Sequence, residues 1–280
     1  MKFAKMHGIG NDYIYINTLK EDVKNPSKLA IAMSDRHYGI GSDGLILIMK
    51  SQAAGANFKM RMFNADGSEA EMCGNGIRCF AKYLYDRKMI TSKELAVETL
   101  SGIKMLKLNV RNDKVNAVTV DMGEPILLRN KIPMLGKEGT VINEDIQLPD
   151  GIHFSITAVS MGNPHAVIFV EDVENFPVEK YGPIIEHHNL FPQRINVEFV
   201  QVLNKNEILQ RTWERGTGET MACGTGASAS TVAAILTEQT ERSILVHLRG
   251  GDLKVSWEEK SDRVYLTGPA VEVFEGTWTE

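Results

Sequence analysis

Two short cysteine loops set among glycines carry the residue types most able to do chemistry in this chain: Cys73 in EMCGNGIRC and Cys223 in MACGTGAS. In each, an alternating segment (58–63 or 208–213) runs into a polar loop, then the cysteine, then glycines, then a helical pattern. The cysteine therefore falls at or just before a helix amino terminus. There, unpaired backbone N–H groups and the helix dipole favour negative charge. Such a setting lowers a thiol's pKa below its ordinary value of about 8.5 and raises its thiolate fraction. The glycines let backbone approach a ligand closely, and their amides can hold a carboxylate or a developing oxyanion. Taken singly, either loop reads equally well as a tight turn around a small buried hydrophobe. The third cysteine, Cys79, lies inside an apolar helical pattern and reads as core.

An internal repeat links the two loops. Aligning Cys73 with Cys223, an offset of 150, superposes CGNG on CGTG, Phe63-Asn64 on Trp213-Glu214, and Glu69 on Glu219. The helical stripes that follow match at 152, as do Gly10-Asn11 and Gly162-Asn163; Asp43 falls opposite Asn196 at 153. Matches in one order at nearly one offset point to two related halves. If those halves pack about a pseudo-twofold axis, the two cysteines face one another across the cleft between them. Facing thiols suit inversion of a stereocentre, which needs a base on one face and an acid on the other, with roles exchanged in the reverse direction.

Rival uses of the cysteines fit less well. A redox pair usually occupies neighbouring positions such as C-x-x-C, and three cysteines without a secretion signal do not make a disulfide framework. A metal site would have to recruit His7, His165 or the His187-His188 pair, whose spacing matches no ligand motif; none is expected. The surrounding polar residues suit an amino-acid substrate. Asn11, Asn64, Asn163 and Asn196 lie at element ends and offer donors and acceptors, though turn formation explains each as well. Glu214 and Arg215 could grip an ammonium and a carboxylate, or form an ordinary surface pair. GIGNDY lacks the Lys-Ser/Thr of a Walker motif, and nothing resembles a pyridoxal phosphate or nicotinamide site.

The elements that must position these groups are many short strands and few helices. Alternation marks strands at 12–17, 58–63, 103–110, 115–120, 154–159, 166–170, 197–202, 208–213, 244–248, 253–257 and 263–267, and helical periodicity marks 26–36, 76–88, 177–189 and 226–238. The pattern is α+β. The turn-rich stretch 121–151 is the expected region between domains. The 280 residues suit one large domain or two of medium size, and a net charge of −5 argues against a nucleic-acid surface. No apolar run reaches the roughly 20 residues of a membrane span. The amino terminus lacks a signal peptide's apolar region, so a cytoplasmic protein is expected.

KMHGIGNDYIYIN, FNADGSEAEMCGNGIRCFAKYL, SMGNPHAV and ERGTGETMACGTGASAS together closely resemble the diaminopimelate epimerase family, and the resemblance runs from residue 3 to LTGPAVEVFEG. It implies two pseudo-symmetric domains of mostly antiparallel strands around a central helix, with the active site in the interdomain cleft. On this reading, residues 1–122 with 268–280 form the half carrying Cys73, and 123–267 the half carrying Cys223. The implied reaction is cofactor-independent interconversion of LL- and meso-diaminopimelate, for lysine and peptidoglycan precursors. Cys73 and Cys223 are the implied acid/base pair, and His165 and Glu214 tune their pKa values. Asn11, Asn64, Asn163, Asn196, Glu214 and Arg215 bind substrate, with Gly74-Asn75 and Gly224-Thr225 receiving its α-carboxylate. Many members carry Gln where this chain has Gly44, so Asp43 or water is left to supply that contact. A homodimer is implied, with Phe274 at the position of an interface aromatic. The nearest alternatives are a two-cysteine racemase acting on proline or hydroxyproline, and a non-catalytic amino-acid-binding protein using the same cleft.

Overall fold

The computed structural model describes residues 1–279. In chain order the elements are β1 (Lys2–Gly8), β2 (Asn11–Asn17), α1 (Pro26–Ser34), β3 (Gly44–Lys50), β4 (Phe58–Asn64), β5 (Glu69–Ala70), α2 (Gly74–Asp86), β6 (Glu94–Thr99), β7 (Gly102–Arg111) and β8 (Lys114–Gly123). They continue with β9 (Glu144–Gln147), β10 (His153–Ser160), β11 (Pro164–Phe169), α3 (Val178–Glu186), β12 (Asn196–Asn204), β13 (Glu207–Glu214), β14 (Gly218–Thr220), α4 (Gly224–Leu236), β15 (Ser243–Leu248), β16 (Gly251–Trp257), β17 (Val264–Pro269) and β18 (Val271–Thr277). Two compact units result, Met1–Asp121 with Thr267–Glu280, and Met122–Leu266.

The same ladder is built twice. In the first unit β1 and β2 pair antiparallel, β2 and β3 parallel, β3 and β4 antiparallel, and β4 then takes β5 antiparallel and β6 parallel, with β7 antiparallel to β6. In the second unit β10, β11, β12, β13, β14, β15 and β16 repeat each of these pairings in the same sense. An ion pair repeats with them. Arg61 grips Glu69 through two bonds (2.7 and 2.9 Å), as Arg211 grips Glu219 at the same two distances.

The structure also corrects the repeat alignment. Parallel pairing sets Gly44 opposite Tyr13 and Asn196 opposite His165. The counterpart of Asn196 is thus Gly44, at an offset of 152, and not Asp43. The register further matches Ile46 with Glu198, since each lies two residues beyond.

Each unit closes over its own core. Phe3, Ile14, Ile16, Met33, Leu45 and Phe63 pack together in the first. In the second, Ile156, Ile168, Ile185, Val197 and Phe199 pack with Ile132, Met134 and Val141. Much of the turn-rich stretch 121–151 is therefore packed into the second unit and is not a linker, because its few apolar side chains are buried there. No helix among the described residues is long and apolar enough to cross a membrane.

Candidate active site

α2 and α4 begin two residues earlier than periodicity indicates, at Gly74 and Gly224, and the cysteines themselves are the N-caps. Both hold extended backbone, φ −123° and ψ 123° at Cys73 against φ −120° and ψ 113° at Cys223. Each sulfur accepts from the amide three residues on, Gly76 N–H at 3.5 Å and Gly226 N–H at 3.4 Å. An N-cap accepts one of the helix's orphan donors, so the same contact that starts the helix aims a donor at the sulfur.

The second glycine of each motif is a packing requirement. A Cβ on Gly226 would lie 2.6 Å from Glu198 Oε1 and 3.3 Å from Cys223 Sγ; on Gly76 it would lie 2.7 Å from Ile46 Cδ1. Equivalent strand residues thus press on equivalent glycines, one with a methyl group and the other with a carboxylate.

Around Cys73 the first unit gathers Asn11 and Asn75. The Cys73 thiol donates to Asn11 Oδ1 (3.1 Å), which also accepts from Asn75 Nδ2 (3.3 Å). Asn11 Nδ2 donates to Asp43 Oδ2 (2.7 Å), and Asp43 is tied to Arg36, which also holds Asp12. Burial, first, with the neighbouring Asp12, pushes the Asp43 carboxyl above its usual range. Asn64 ends β4 directly opposite Gly44, its amide donating to Ser68 Oγ (3.0 Å). At Gly44 a Cβ would stand 2.1 Å from the main-chain oxygen of Phe63, so the strand pair itself excludes a side chain there.

Around Cys223 the second unit builds a longer chain of bonds. Sγ contacts Thr225 Oγ1 (3.4 Å), Asn163 Nδ2 donates to that hydroxyl (3.2 Å), Asn163 Oδ1 meets His165 Nε2 (3.0 Å), and His165 Nδ1 meets Glu198 Oε1 (2.8 Å). His165 and Glu198 are fully buried. His165 therefore reaches the sulfur through Asn163 and Thr225. Asn196 bridges backbone, donating to Pro164 O (2.8 Å) and accepting from Arg215 N–H (2.9 Å). The Arg215 side chain is exposed and donates to Gln193 O (3.0 Å), while Glu214 Oε1 accepts from Thr220 Oγ1 (2.6 Å).

Electrostatics overturns one sequence expectation. A helix amino terminus alone would acidify both thiols, yet Cys223 is pushed well above an ordinary thiol. Burial is the largest cause, Glu214 and Glu198 add to it, and the Thr225 and Gly226 bonds only partly offset them. Desolvation and buried carboxylates outweigh one helix end. Cys79, fully buried, is pushed up to about 11, chiefly by burial. Glu198 escapes pattern reading because it sits mid-strand among apolar residues; a lone acidic residue at an inward position of INVEFV is the signal that marks it.

A family model described as Diaminopimelate epimerase matches residues 3–128 and 157–273. A diaminopimelate epimerase of Acetivibrio thermocellus is 56% identical over 276 residues, covering 99% of this chain and 98% of the relative. One from Agathobacter rectalis is 53% identical over 282 residues, with the same coverage. Among solved structures, a probable proline racemase from Agrobacterium radiobacter K84 superposes with a TM-score of 0.73 over 99% of this chain and 92% of that one, at 12% identity, a likeness of fold.

Proposed function

Because this chain belongs to the diaminopimelate epimerase family, we propose that it interconverts LL- and meso-diaminopimelate by moving the α-proton between two thiols. One of Cys73 and Cys223 removes the proton as thiolate, and the other delivers a proton to the opposite face. The observation that carries this reading is the duplicated N-cap: two cysteines in equivalent places, each with a helix-terminal amide on its sulfur. An α-proton is weakly acidic, and the developing carbanion needs donors aimed at its carboxylate. The amino-terminal amides of α2 and α4, at Gly74-Asn75 and Gly224-Thr225, are suited to that task. No pyridoxal phosphate or metal enters the reaction so written.

The remaining roles follow from what each side chain has left to offer. Asn163 and Asn196 use one donor and one acceptor within the protein, which leaves each amide one N–H and one lone pair for a ligand. Asn11, which accepts from the Cys73 thiol, and Asn64, at the end of β4, supply further polar atoms for the substrate. Arg215, with its side chain exposed, takes the distal carboxylate, and Glu214 the ammonium. His165 and Glu214 act on Cys223, the first through Asn163 and Thr225 and the second by its charge. We further assign a homodimer in the cytoplasm, serving lysine and peptidoglycan precursor synthesis. In support of the dimer, Phe274 is 46% exposed beside exposed Val271 and Val273 on β18, and packs edge-on to Phe3 (5.9 Å).

The test is incubation with LL-diaminopimelate in deuterated water without added cofactor. The reading requires meso product carrying deuterium at the α-carbon, lost in both C73S and C223S. If neither product nor exchange is seen, the epimerase reading fails. Proline in the same assay tests the alternative racemase, and binding of diaminopimelate without turnover would mark a binding protein.

A further inference from the structure

The buried hydrogen bonds around Cys223 have a direction, and one amide sets it. Asn163 Nδ2 donates to Thr225 Oγ1 (3.2 Å), so the other end of that amide, Oδ1, can only accept. His165 Nε2, 3.0 Å from Oδ1, is therefore the donor. The other ring nitrogen, Nδ1, stands 2.8 Å from Glu198 Oε1, and a carboxylate likewise only accepts. Both ring nitrogens thus carry a hydrogen. At the far end, the Thr225 oxygen takes the Asn163 hydrogen and keeps its own for Cys223 Sγ, 3.4 Å away.

A ring with two hydrogens is a cation, and a cation in a dry interior needs a counter-charge. His165 and Glu198 are both fully buried, and Glu198 is the carboxylate on that ring. Its second oxygen, Oε2, is buried without a hydrogen-bond partner, so His165 is what this carboxylate serves. Glu214, the other acid acting on Cys223, bonds Thr220. We propose that Glu198 is a positioning residue of the reaction: it holds His165 doubly protonated and so fixes Asn163 and Thr225 as a one-way line of donors ending on the Cys223 sulfur. By its charge alone Glu198 raises that thiol; through His165 it keeps a hydrogen aimed at the sulfur. That hydrogen serves whichever step leaves Cys223 ionised, in either direction of the reaction.

The first unit builds the alternative. Tyr13 and Ile46 stand there at the places of His165 and Glu198, and Asn11 at that of Asn163. Asn11 Nδ2 donates to the Asp43 carboxylate (2.7 Å), so its Oδ1 is the end that meets the sulfur, 3.1 Å from Cys73 Sγ. The group behind each amide decides which end turns forward: an acceptor stands behind Asn11 and a donor behind Asn163.

The catalytic role rests on the two-thiol reading of function; the hydrogens on His165 do not. Nitrogen-15 NMR of histidine-labelled protein near pH 7, with His165 assigned by the signal lost in H165N, should show a hydrogen on each ring nitrogen in the unaltered chain. E198Q, whose neutral amide cannot balance the ring's charge, should show one only. A bare ring nitrogen in the unaltered chain overturns the inference, even should E198Q fail to fold. In turnover of diaminopimelate, E198Q should lower kcat/KM about 10–100-fold, the scale found for partners that orient a ligating group. T225A should lose as much and T225S little. E198Q added to T225A should cost less than about threefold more, because both changes break one line. Losses that multiply in full would make Glu198 a packing residue and overturn its positioning role. A chain with both ring hydrogens that leaves diaminopimelate unchanged would keep the direction of the bonds and lose the proposed function.

Discussion

Replacing Gly226 with alanine sets a methyl group against the buried Glu198 carboxylate. The added carbon would stand 2.6 Å from Oε1 and 3.3 Å from Cys223 Sγ. Since such atoms rest at about 3.5 Å or more, Oε1 must retreat by about 1 Å. His165 Nδ1 now lies 2.8 Å from it, and that displacement takes the pair beyond hydrogen-bonding range, about 3.5 Å. Losing a hydrogen bond to a carboxylate costs about 1.5–3 kcal/mol, with more for a buried group left unpaired. Alanine's helix propensity returns up to about 1 kcal/mol. The net is a destabilisation of about 1–3 kcal/mol, lowering Tm by roughly 3–10 °C. Gly76→Ala is the internal control: its methyl meets the terminal Cδ1 of Ile46 at 2.7 Å, which can turn aside, so it should stay within about 1 kcal/mol of the parent. Scanning calorimetry of both variants is the assay, with Gly226→Ala repeated in a Glu198→Ala background, where its cost should largely vanish. If G226A melts with the parent, or costs as much when Glu198 is gone, the claimed contact does not govern this position.

Cys79 should resist iodoacetamide in the native protein at pH 8 and react only on unfolding, since its thiol is pushed up to about 11; native labelling as fast as at Cys73 would contradict its burial. Glu219 is pushed up by burial but held below the ordinary carboxylate range by Arg211 and Arg249. Its stabilisation is therefore present above the unfolded value of about 4.3 and lost as pH falls through the lower folded value. Glu219→Gln should melt a few degrees below the parent at pH 7, with the gap closing below about pH 4; a gap that persists in acid refutes the linkage. Gly44→Gln should cost about 3 kcal/mol or more, because a Cβ there would stand 2.1 Å from Phe63 O. An unchanged melting curve would show that β3 and β4 part easily.

The chemistry-bearing loops and the duplication are legible in sequence because C-G-x-G, Asn11/Asn163 and Glu69/Glu219 recur in order, and the strands they terminate alternate cleanly. β3 is harder to see: GLILI is buried throughout, and a continuous apolar run carries no period of two. The starts of α2 and α4 shift by two residues because cysteine is not among the residues usually read as N-caps. Arg78 shares a helix with Ile77 and Phe80, and a single basic residue in such a stretch reads as its solvated face. Only tertiary packing shows that it is buried. The direction of the Cys223 shift is likewise hidden, since Glu198 and Glu214 lie 16 residues apart in sequence on β12 and β13 and act through a dry interior.

A faithful duplication would be a poor catalyst for two-base inversion. Two independent thiols with the same ordinary pKa of about 8.5 would leave about 6% of molecules singly ionised at pH 7, and at no pH more than about half. Only the singly ionised form holds one base and one acid. Unequal local fields change that arithmetic: burial with Glu214 and Glu198 raises Cys223, and thiols with different pKa values titrate apart, which widens the interval in which one is ionised and the other is not. The ladder can therefore repeat strand for strand, and the N-caps to within 10° in ψ, while the positions of Tyr13, Ile46, Asn64 and Arg78 differ in charge or polarity from those of His165, Glu198, Glu214 and Ser228. Symmetry in the backbone suits a nearly symmetric reaction, and asymmetry in buried charge lets it begin.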